Sequence, residues 1–194
     1  MLYILAIVLG IMAGLFAKGR ISNLADVRFE KVWLVLAAAL TLLVTQVLSG
    51  SLDLLSGYSF LINGIIYCIV FIWAWLNRRY MGVVVIAAGA FLNMLVMMVN
   101  GGRMPVDMNA AMSAGLSPEV LESDIKHYIT SPGDGTRLAF LSDMITLPGF
   151  LGYMMRIVSI GDLVVMAGLL MLFFQLVSGK NTLIDIKQLR RLDK

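Results

Sequence analysis

The feature that most constrains this chain is a set of long apolar runs, each with at most one charged residue. A run has roughly 17 to 20 residues, and a helix of that length spans a bilayer core of ~30 Å. Hydrocarbon offers no water to backbone groups, so a spanning segment must be a helix or part of a closed barrel. The runs do not alternate as barrel strands do. We therefore predict five transmembrane helices, at residues 1–17, 32–48, 58–76, 81–99 and 160–178.

The composition agrees with a membrane protein. Of the 194 residues, 60% are hydrophobic and 14% are charged, whereas charged residues make up about a quarter of soluble domains. We expect a single membrane domain over residues 1–194, an all-α bundle of about five transmembrane helices. Residues 100–159 would form a partly helical extracytoplasmic cap, and residues 179–194 a cytoplasmic tail.

Lysine and arginine residues concentrate in alternate connections, and the connection at residues 49–57 has none. The positive-inside bias predicts a multi-pass protein of the cell membrane with its N-terminus outside and its C-terminus in the cytoplasm. Because these residues serve topology, we expect membrane lipids and no nucleic acid as partners. The basic residues on the cytoplasmic side are Lys18, Arg20, Arg28, Lys31, Arg78, Arg79, Lys180, Lys187, Arg190, Arg191 and Lys194.

The outer connection at residues 100–159 is far longer than most connections, which have 2 to 8 residues, and such loops tend to be functional. Ser117 followed by Pro118 is typical of a helix start, and apolar residues continue at helical spacing to Ile129. We expect a short helix there that packs on the bundle or on the lipid headgroups. Residues 138–157 are apolar enough to return to the membrane surface, and His127 is expected to be a surface residue.

The fourth predicted helix carries a stripe of small and amide residues. Gly82, Gly89, Asn93 and Asn100 recur at intervals of seven and four, which places them on one face. That face should meet protein, because an unpaired amide in hydrocarbon costs several kcal/mol. The amides are either interhelical hydrogen-bonding groups or part of a polar cavity.

The segment "NGGRMPVD", residues 100–107, follows this helix. Gly101 and Gly102 are suited to positive φ and end the helix, and Pro105 prevents its continuation. Arg103 and Asp107 are not needed for that purpose. They would either pair at the surface, which stabilises little, or belong to a site.

The segment "SIGD", residues 159–162, opens the last predicted helix. Ser159 and Asp162 have the spacing of a capping box, and an ionisable residue in a membrane segment is also a candidate functional residue. If the fourth and last helices are neighbours, Asn100, Arg103 and Asp162 lie together at the outer rim. Asn93 would lie about 10 Å deeper. We therefore predict a polar pocket roofed by the long outer connection.

Three segments together resemble a bacterial membrane family catalogued as domain of unknown function 5317. They are "GAFLNMLVMMVNGGRMPVD", "SDMITLP" around Asp143, and "SIGDLVVMAG". The resemblance covers nearly the whole chain. It implies an integral membrane protein and supplies no activity.

The chain is also distantly similar to lipoprotein signal peptidase, a membrane aspartyl protease with two catalytic aspartates. Asn93 aligns with an asparagine of its first motif and Asp162 with the aspartate of its second. Val96 stands where the first motif has its catalytic aspartate. A carboxylate pair that shares a proton needs both acids, so a hydrolase would require Asp107 or Asp143 to replace the missing one.

We expect a non-enzymatic protein that binds an amphiphilic, lipid-like ligand or a partner membrane protein at the outer pocket. The alternatives are an aspartate-dependent membrane hydrolase and a small carrier or channel, for which Gln46, Asn63 and Gln175 are the other polar groups within the helices. No catalytic residue, metal site or cofactor is assigned, since the scattered methionines are typical of apolar packing. The candidate ligand-binding residues are Asn93, Asn100, Arg103, Asp107, Asp143 and Asp162.

Overall fold

A computed structural model describes residues 2–49, 58–115, 127–131, 134–147 and 157–179. These residues form six α-helices, four short strands and two 3₁₀ helices, at Ile21–Asp26 and Ala139–Leu141. The helices are α1 (Leu2–Phe16), α2 (Val32–Ser49), α3 (Ser59–Leu76), α4 (Met81–Val99), α5 (Met108–Ser113) and α6 (Ile160–Ser178). The strands are β1 (Met104–Asp107), β2 (His127–Thr130), β3 (Ile145–Thr146) and β4 (Ile157–Val158).

The five long helices lie where the apolar runs predict them. By length and composition, α3, α4 and α6 are able to cross a membrane. The helix α1 and the Trp33–Thr45 part of α2 are apolar but shorter. Three candidate spans are therefore established, and the crossing of the membrane by all five helices stays a prediction.

The last helix, α6, is the centre of the bundle because it packs extensively on both α1 and α4. Glycines allow the α4 and α6 backbones to touch. A β-carbon on Gly89 would lie 2.6 Å from the Gly161 carbonyl oxygen, and one on Gly82 would lie 2.4 Å from the Leu172 α-carbon. The small-residue stripe of α4 is therefore its contact with α6, and the two helices that the pocket requires are neighbours.

The first helix joins the bundle through α6. A β-carbon on Gly10 would lie 2.5 Å from the Leu170 carbonyl oxygen, so α1 and α6 are also in close backbone contact. Elsewhere α2 packs on α3 and α3 packs on α4, whereas α1 makes at most marginal contact with α2 and α3. The seam between α1 and α3 therefore has little backbone contact.

A small sheet covers the end of the bundle where α3 begins and α4 ends. Strands β1 and β2 are parallel, with Met104 opposite His127 and Asp107 opposite Thr130. A third extended segment joins through a bridge between Val106 and Asp143. We call these three segments the cap sheet.

The cap corrects two expectations. The expected fold was all-α, whereas the structure has four strands, which are too short to show an alternating pattern in the sequence. The helix predicted to run to Ile129 is wrong at its end, because residues 127–130 pair with β1 and tertiary pairing overrides local propensity. Its beginning, at residues 116–126, lies outside the described ranges, as do residues 148–156 of the segment expected to return to the membrane.

The opposite end of the bundle carries basic residues. The Asn77 side chain accepts from the Glu30 N–H at 2.8 Å and donates to the Glu30 carbonyl at 3.0 Å. The guanidinium of Arg79 donates to the Arg28 carbonyl. The connections at residues 27–31 and 77–80 therefore lie together, away from the cap. This arrangement suits the predicted cytoplasmic side, although the orientation in the cell stays a prediction.

Candidate functional site

Asp162, in the first turn of α6, is the hub of the site. Its Oδ1 accepts hydrogen bonds from the Tyr3 hydroxyl at 2.8 Å and from Asn93 Nδ2 at 2.9 Å. Its Oδ2 accepts from the Ser159 N–H at 3.1 Å, and its own N–H donates to the Ser159 hydroxyl at 3.0 Å. The capping box is therefore confirmed. Capping uses only Oδ2, and Oδ1 is turned toward α1 and α4.

Asn93 connects α4 to this carboxylate. While its Nδ2 donates to Asp162, its Oδ1 accepts from the Ser159 hydroxyl at 2.8 Å. One amide thus bridges two residues of the facing helix, so the prediction of an interhelical hydrogen-bonding role is confirmed. The same side chain also lines a cavity, and the two roles that the sequence left open coexist.

That cavity has a volume of about 120 Å³ and lies where α1, α3, α4 and α6 meet the cap sheet. Asp162 faces it from the bundle and Asp143 faces it from the cap. His127 Nε2 lies 3.7 Å from Asp143 Oδ2. The residues that line the cavity are Tyr3, Tyr67, Asn93, Met97, Met104, His127, Asp143 and Asp162. We call this space the inner cavity.

The cap sheet determines which side chains face the inner cavity. Side chains alternate along a strand, so Met104 and Val106 share one face of β1. His127 lies opposite Met104, and Asp143 is bridged to Val106, which places both on that same face. Arg103 Nε donates to the His127 carbonyl at 3.0 Å, and its Nη2 donates there too. Arg103 therefore holds β2 in place behind the cavity.

Two of the remaining candidate residues, Asn100 and Asp107, form hydrogen bonds with backbone groups of the cap. Asn100 Nδ2 donates to the Arg137 carbonyl at 2.8 Å, and its Oδ1 accepts from the Arg137 N–H at 3.0 Å. Asp107 Oδ1 accepts from the Ala110 N–H at 2.9 Å and caps α5. Of the six candidates, Asn93, Asp143 and Asp162 line the inner cavity. Asn100, Arg103 and Asp107 do not line it.

Sequence reasoning missed four residues of the site: Tyr3, Tyr67, His127 and Ser159 as a partner of Asn93. The expectation that His127 is a surface residue is wrong, because its side chain is 25% exposed and faces Asp143. The Tyr67 hydroxyl donates to Met97 Sδ at 3.3 Å. A tyrosine inside an apolar run gives only a weak sign of a polar site, since tyrosine also serves as an interfacial anchor.

The other polar groups of the helices bond within the fold. Asn63 Nδ2 donates to the Gly102 carbonyl at 2.9 Å, and Gln175 Oε1 accepts from the Gly82 N–H at 2.9 Å. These contacts lie near opposite ends of the bundle. The Gln46 side chain lies outside the described part of the structure. The described groups therefore stabilise helix contacts and add no polar lining to the inner cavity.

The inner cavity presents mainly hydrogen-bond acceptors. Two carboxylates line it, and none of its described lining residues is a lysine or an arginine, so these residues favour a ligand group that donates hydrogen bonds or carries positive charge. Within the described residues, no cluster of three histidine, cysteine, aspartate or glutamate side chains is arranged to hold a metal ion.

A family model described as a family of unknown function (DUF5317) matches residues 26–174. The match runs from before α2 into α6 and includes Asn93, Asp143 and Asp162, while Tyr3 precedes it. No curated protein and no solved structure matches the chain. The likeness to lipoprotein signal peptidase and the bacterial origin stay predictions.

Proposed function

The chain belongs to the DUF5317 family, and we propose that it is a membrane protein that binds the head group of an amphiphile in the inner cavity. The observation that carries this proposal is the convergence of Asp143 and Asp162 on one small cavity at the end of apolar helices. A polar cavity at the boundary between bundle and cap is at the depth where lipid head groups meet the hydrocarbon.

The size and lining of the cavity define the head group. Small-molecule sites usually have volumes of ~300 to 1,000 Å³, so a cavity of about 120 Å³ holds a head group and not a whole amphiphile. Two carboxylates favour an ammonium group. Tyr3 and Tyr67 also line the cavity, and aromatic side chains attract cations.

The packing of the helices leaves room for the tail of such a ligand. Tyr3 on α1 and Tyr67 on α3 flank the cavity, yet these two helices have at most marginal contact with each other. Near the cap, Ile4 on α1 and Leu61 on α3 are each 58% exposed. An acyl chain would leave the cavity along this seam and remain in the lipid, which supports an amphiphile over a water-soluble ligand.

Native mass spectrometry of the protein with phosphatidylethanolamine and phosphatidylglycerol of identical chains tests the proposal. We expect preferential binding of the ammonium-bearing lipid, and we expect Asp143→Asn or Asp162→Asn to reduce that preference by about tenfold, or ~1.4 kcal/mol. Asp26→Asn, at the opposite end, is the matched control and should leave the preference unchanged. Equal binding of both lipids by the native chain, or an equal effect of all three substitutions, would contradict the proposal.

An aspartate-dependent membrane hydrolase is the second candidate, supported by the position of Asp143 and Asp162 on one cavity. Two neighbouring carboxylates that share a proton supply one base and one acid. Water would add across an ester or amide bond and yield a carboxylic acid with an alcohol or amine. Incubation with an N-acylethanolamine, followed by mass spectrometry, should then show a fatty acid product that Asp143→Asn abolishes. If the native chain in lipid nanodiscs releases no more fatty acid than nanodiscs without protein do, the hydrolase candidate is rejected and only the binding role remains.

A further inference from the structure

A second, larger cleft lies on the other face of the cap sheet. Asp107 and Thr130 pair in register and point away from the face that carries Met104. Ser142 and Met144 flank Asp143 along the chain, so they share the face of Asp107. The cleft that these residues line has a volume of about 550 Å³, and none of its described lining residues also lines the inner cavity. We call it the outer cleft.

The polar groups of the outer cleft are mostly hydrogen-bond acceptors. Asp107 uses Oδ1 to cap α5, and a carboxylate has about four acceptor positions, so further ones remain. The Ser142 hydroxyl donates its hydrogen bond to the Ala139 carbonyl, so its oxygen is left as an acceptor. The Thr130 and Thr136 hydroxyls bond each other, so together they offer one proton outward. The cleft therefore suits a ligand with several donors.

The outer cleft also exposes apolar surface beside these acceptors. The Phe140 side chain is 59% exposed and Met144 is 48% exposed, and both line the cleft. An aromatic face attracts C–H groups that carry slight positive charge. A matching ligand would combine a ring of apolar C–H faces with a rim of hydroxyl donors.

We propose that the outer cleft binds a neutral or amino sugar. A sugar ring presents C–H faces to Phe140 and hydroxyl donors to Asp107 and Ser142. The volume is within the usual range of ~300 to 1,000 Å³ for small-molecule sites. Among the described residues that line the cleft there is no lysine or arginine, and the Asp107 carboxylate disfavours an acidic sugar. This site is independent of the head group proposed for the inner cavity.

Saturation-transfer NMR on the full chain in phosphatidylcholine nanodiscs tests the sugar site with glucosamine, glucose and glucuronate. Nanodiscs are needed because detergents with sugar head groups would compete for the cleft. We expect transfer to glucosamine and glucose and little to glucuronate. Phe140→Ala should weaken binding by about tenfold, whereas Phe16→Ala, an exposed phenylalanine at the far end of α1, should not.

Asp107→Asn removes the negative charge of the cleft and keeps the cap of α5, because asparagine caps helices as well as aspartate does. This substitution should weaken the binding of glucosamine more than that of glucose, because it removes the carboxylate that attracts the ammonium group, and it should leave the folded chain intact. Asp162→Asn, in the inner cavity, should not change sugar binding. The proposal is overturned if no sugar receives transfer, if glucuronate binds as well as glucosamine, or if Phe140→Ala and Phe16→Ala behave alike.

Discussion

Gly161 lies directly against the Asn93 amide: a β-carbon on Gly161 would lie 1.9 Å from Asn93 Oδ1. The missing side chain on α6 lets the amide reach both Ser159 and Asp162. A glycine that looks like ordinary helix packing in the sequence is thus a component of the site.

Gly161→Ala should displace the Asn93 amide and remove both of its hydrogen bonds to α6. We expect the free energy of unfolding to fall by roughly 2 to 3 kcal/mol, because a buried amide loses its partners in a tightly packed contact. Thermal unfolding in nanodiscs measures this change.

The matched control is Gly64→Ala on α3, where the only atom of the described residues that a β-carbon would meet is Met98 Sδ, at 3.9 Å. Alanine there should leave stability unchanged or raise it by about 0.5 to 1 kcal/mol, since glycine is the poorer helix former. Equal destabilisation by the two substitutions would mean that the Gly161–Asn93 contact is unimportant.

Tyr3→Phe should lower the free energy of unfolding more than Tyr67→Phe does. Tyr3 donates to the Asp162 carboxylate, and hydrogen bonds to charged groups contribute about 1.5 to 3 kcal/mol. Tyr67 donates to the sulfur of Met97, a weak acceptor, so its loss should cost less than about 1 kcal/mol. Thermal unfolding of both variants tests the order, and the reverse order would argue against Asp162 as the hub.

Arg103→Lys should impair the inner cavity although Arg103 does not line it. Lysine cannot reproduce the two N–H groups that the guanidinium directs at the His127 carbonyl. We expect β2 to loosen and the preference for phosphatidylethanolamine to fall by roughly threefold to tenfold. Arg137→Lys is the control, because Arg137 meets Asn100 through its backbone. Native mass spectrometry should show no change for that variant, and a similar loss in both would contradict the positioning role.

Cysteine labelling tests the predicted topology. In a Cys68→Ser background, Met112→Cys places a thiol on the exposed cap and Arg78→Cys places one at the basic end. The positive-inside bias predicts that an impermeant maleimide labels the first in intact cells and the second only after permeabilisation. Labelling in the opposite order would place the cap, and both of its cavities, in the cytoplasm.

The helices were predictable from sequence because long apolar runs have few alternatives to a helix in a bilayer. The stripe of Gly82, Gly89 and Asn93 also indicated that one face of α4 meets protein, but the sequence did not say that the partner is α6. The capping box of Ser159 and Asp162 is local, and local patterns are the most readable ones.

The cap was not predictable in the same way. Residue types suggested that Asn100, Arg103 and Asp107 belong with Asp162, but each turns to a backbone group instead. The position of His127 depends on the parallel pairing of β1 and β2, whose strands are far apart in the chain. No local pattern specifies a non-local register of four residues.

The central place of α6 has a consequence for biogenesis. Tyr3 and Asn93 belong to helices that precede α6 in the chain, yet each donates a hydrogen bond to Asp162. While the ribosome is still making the earlier segments, α1 has little to hold it to α2 and α3. Insertion of α6 must therefore bring α1 and α4 together. A chain truncated before residue 160 would enter the membrane without forming the hydrogen bonds to Asp162.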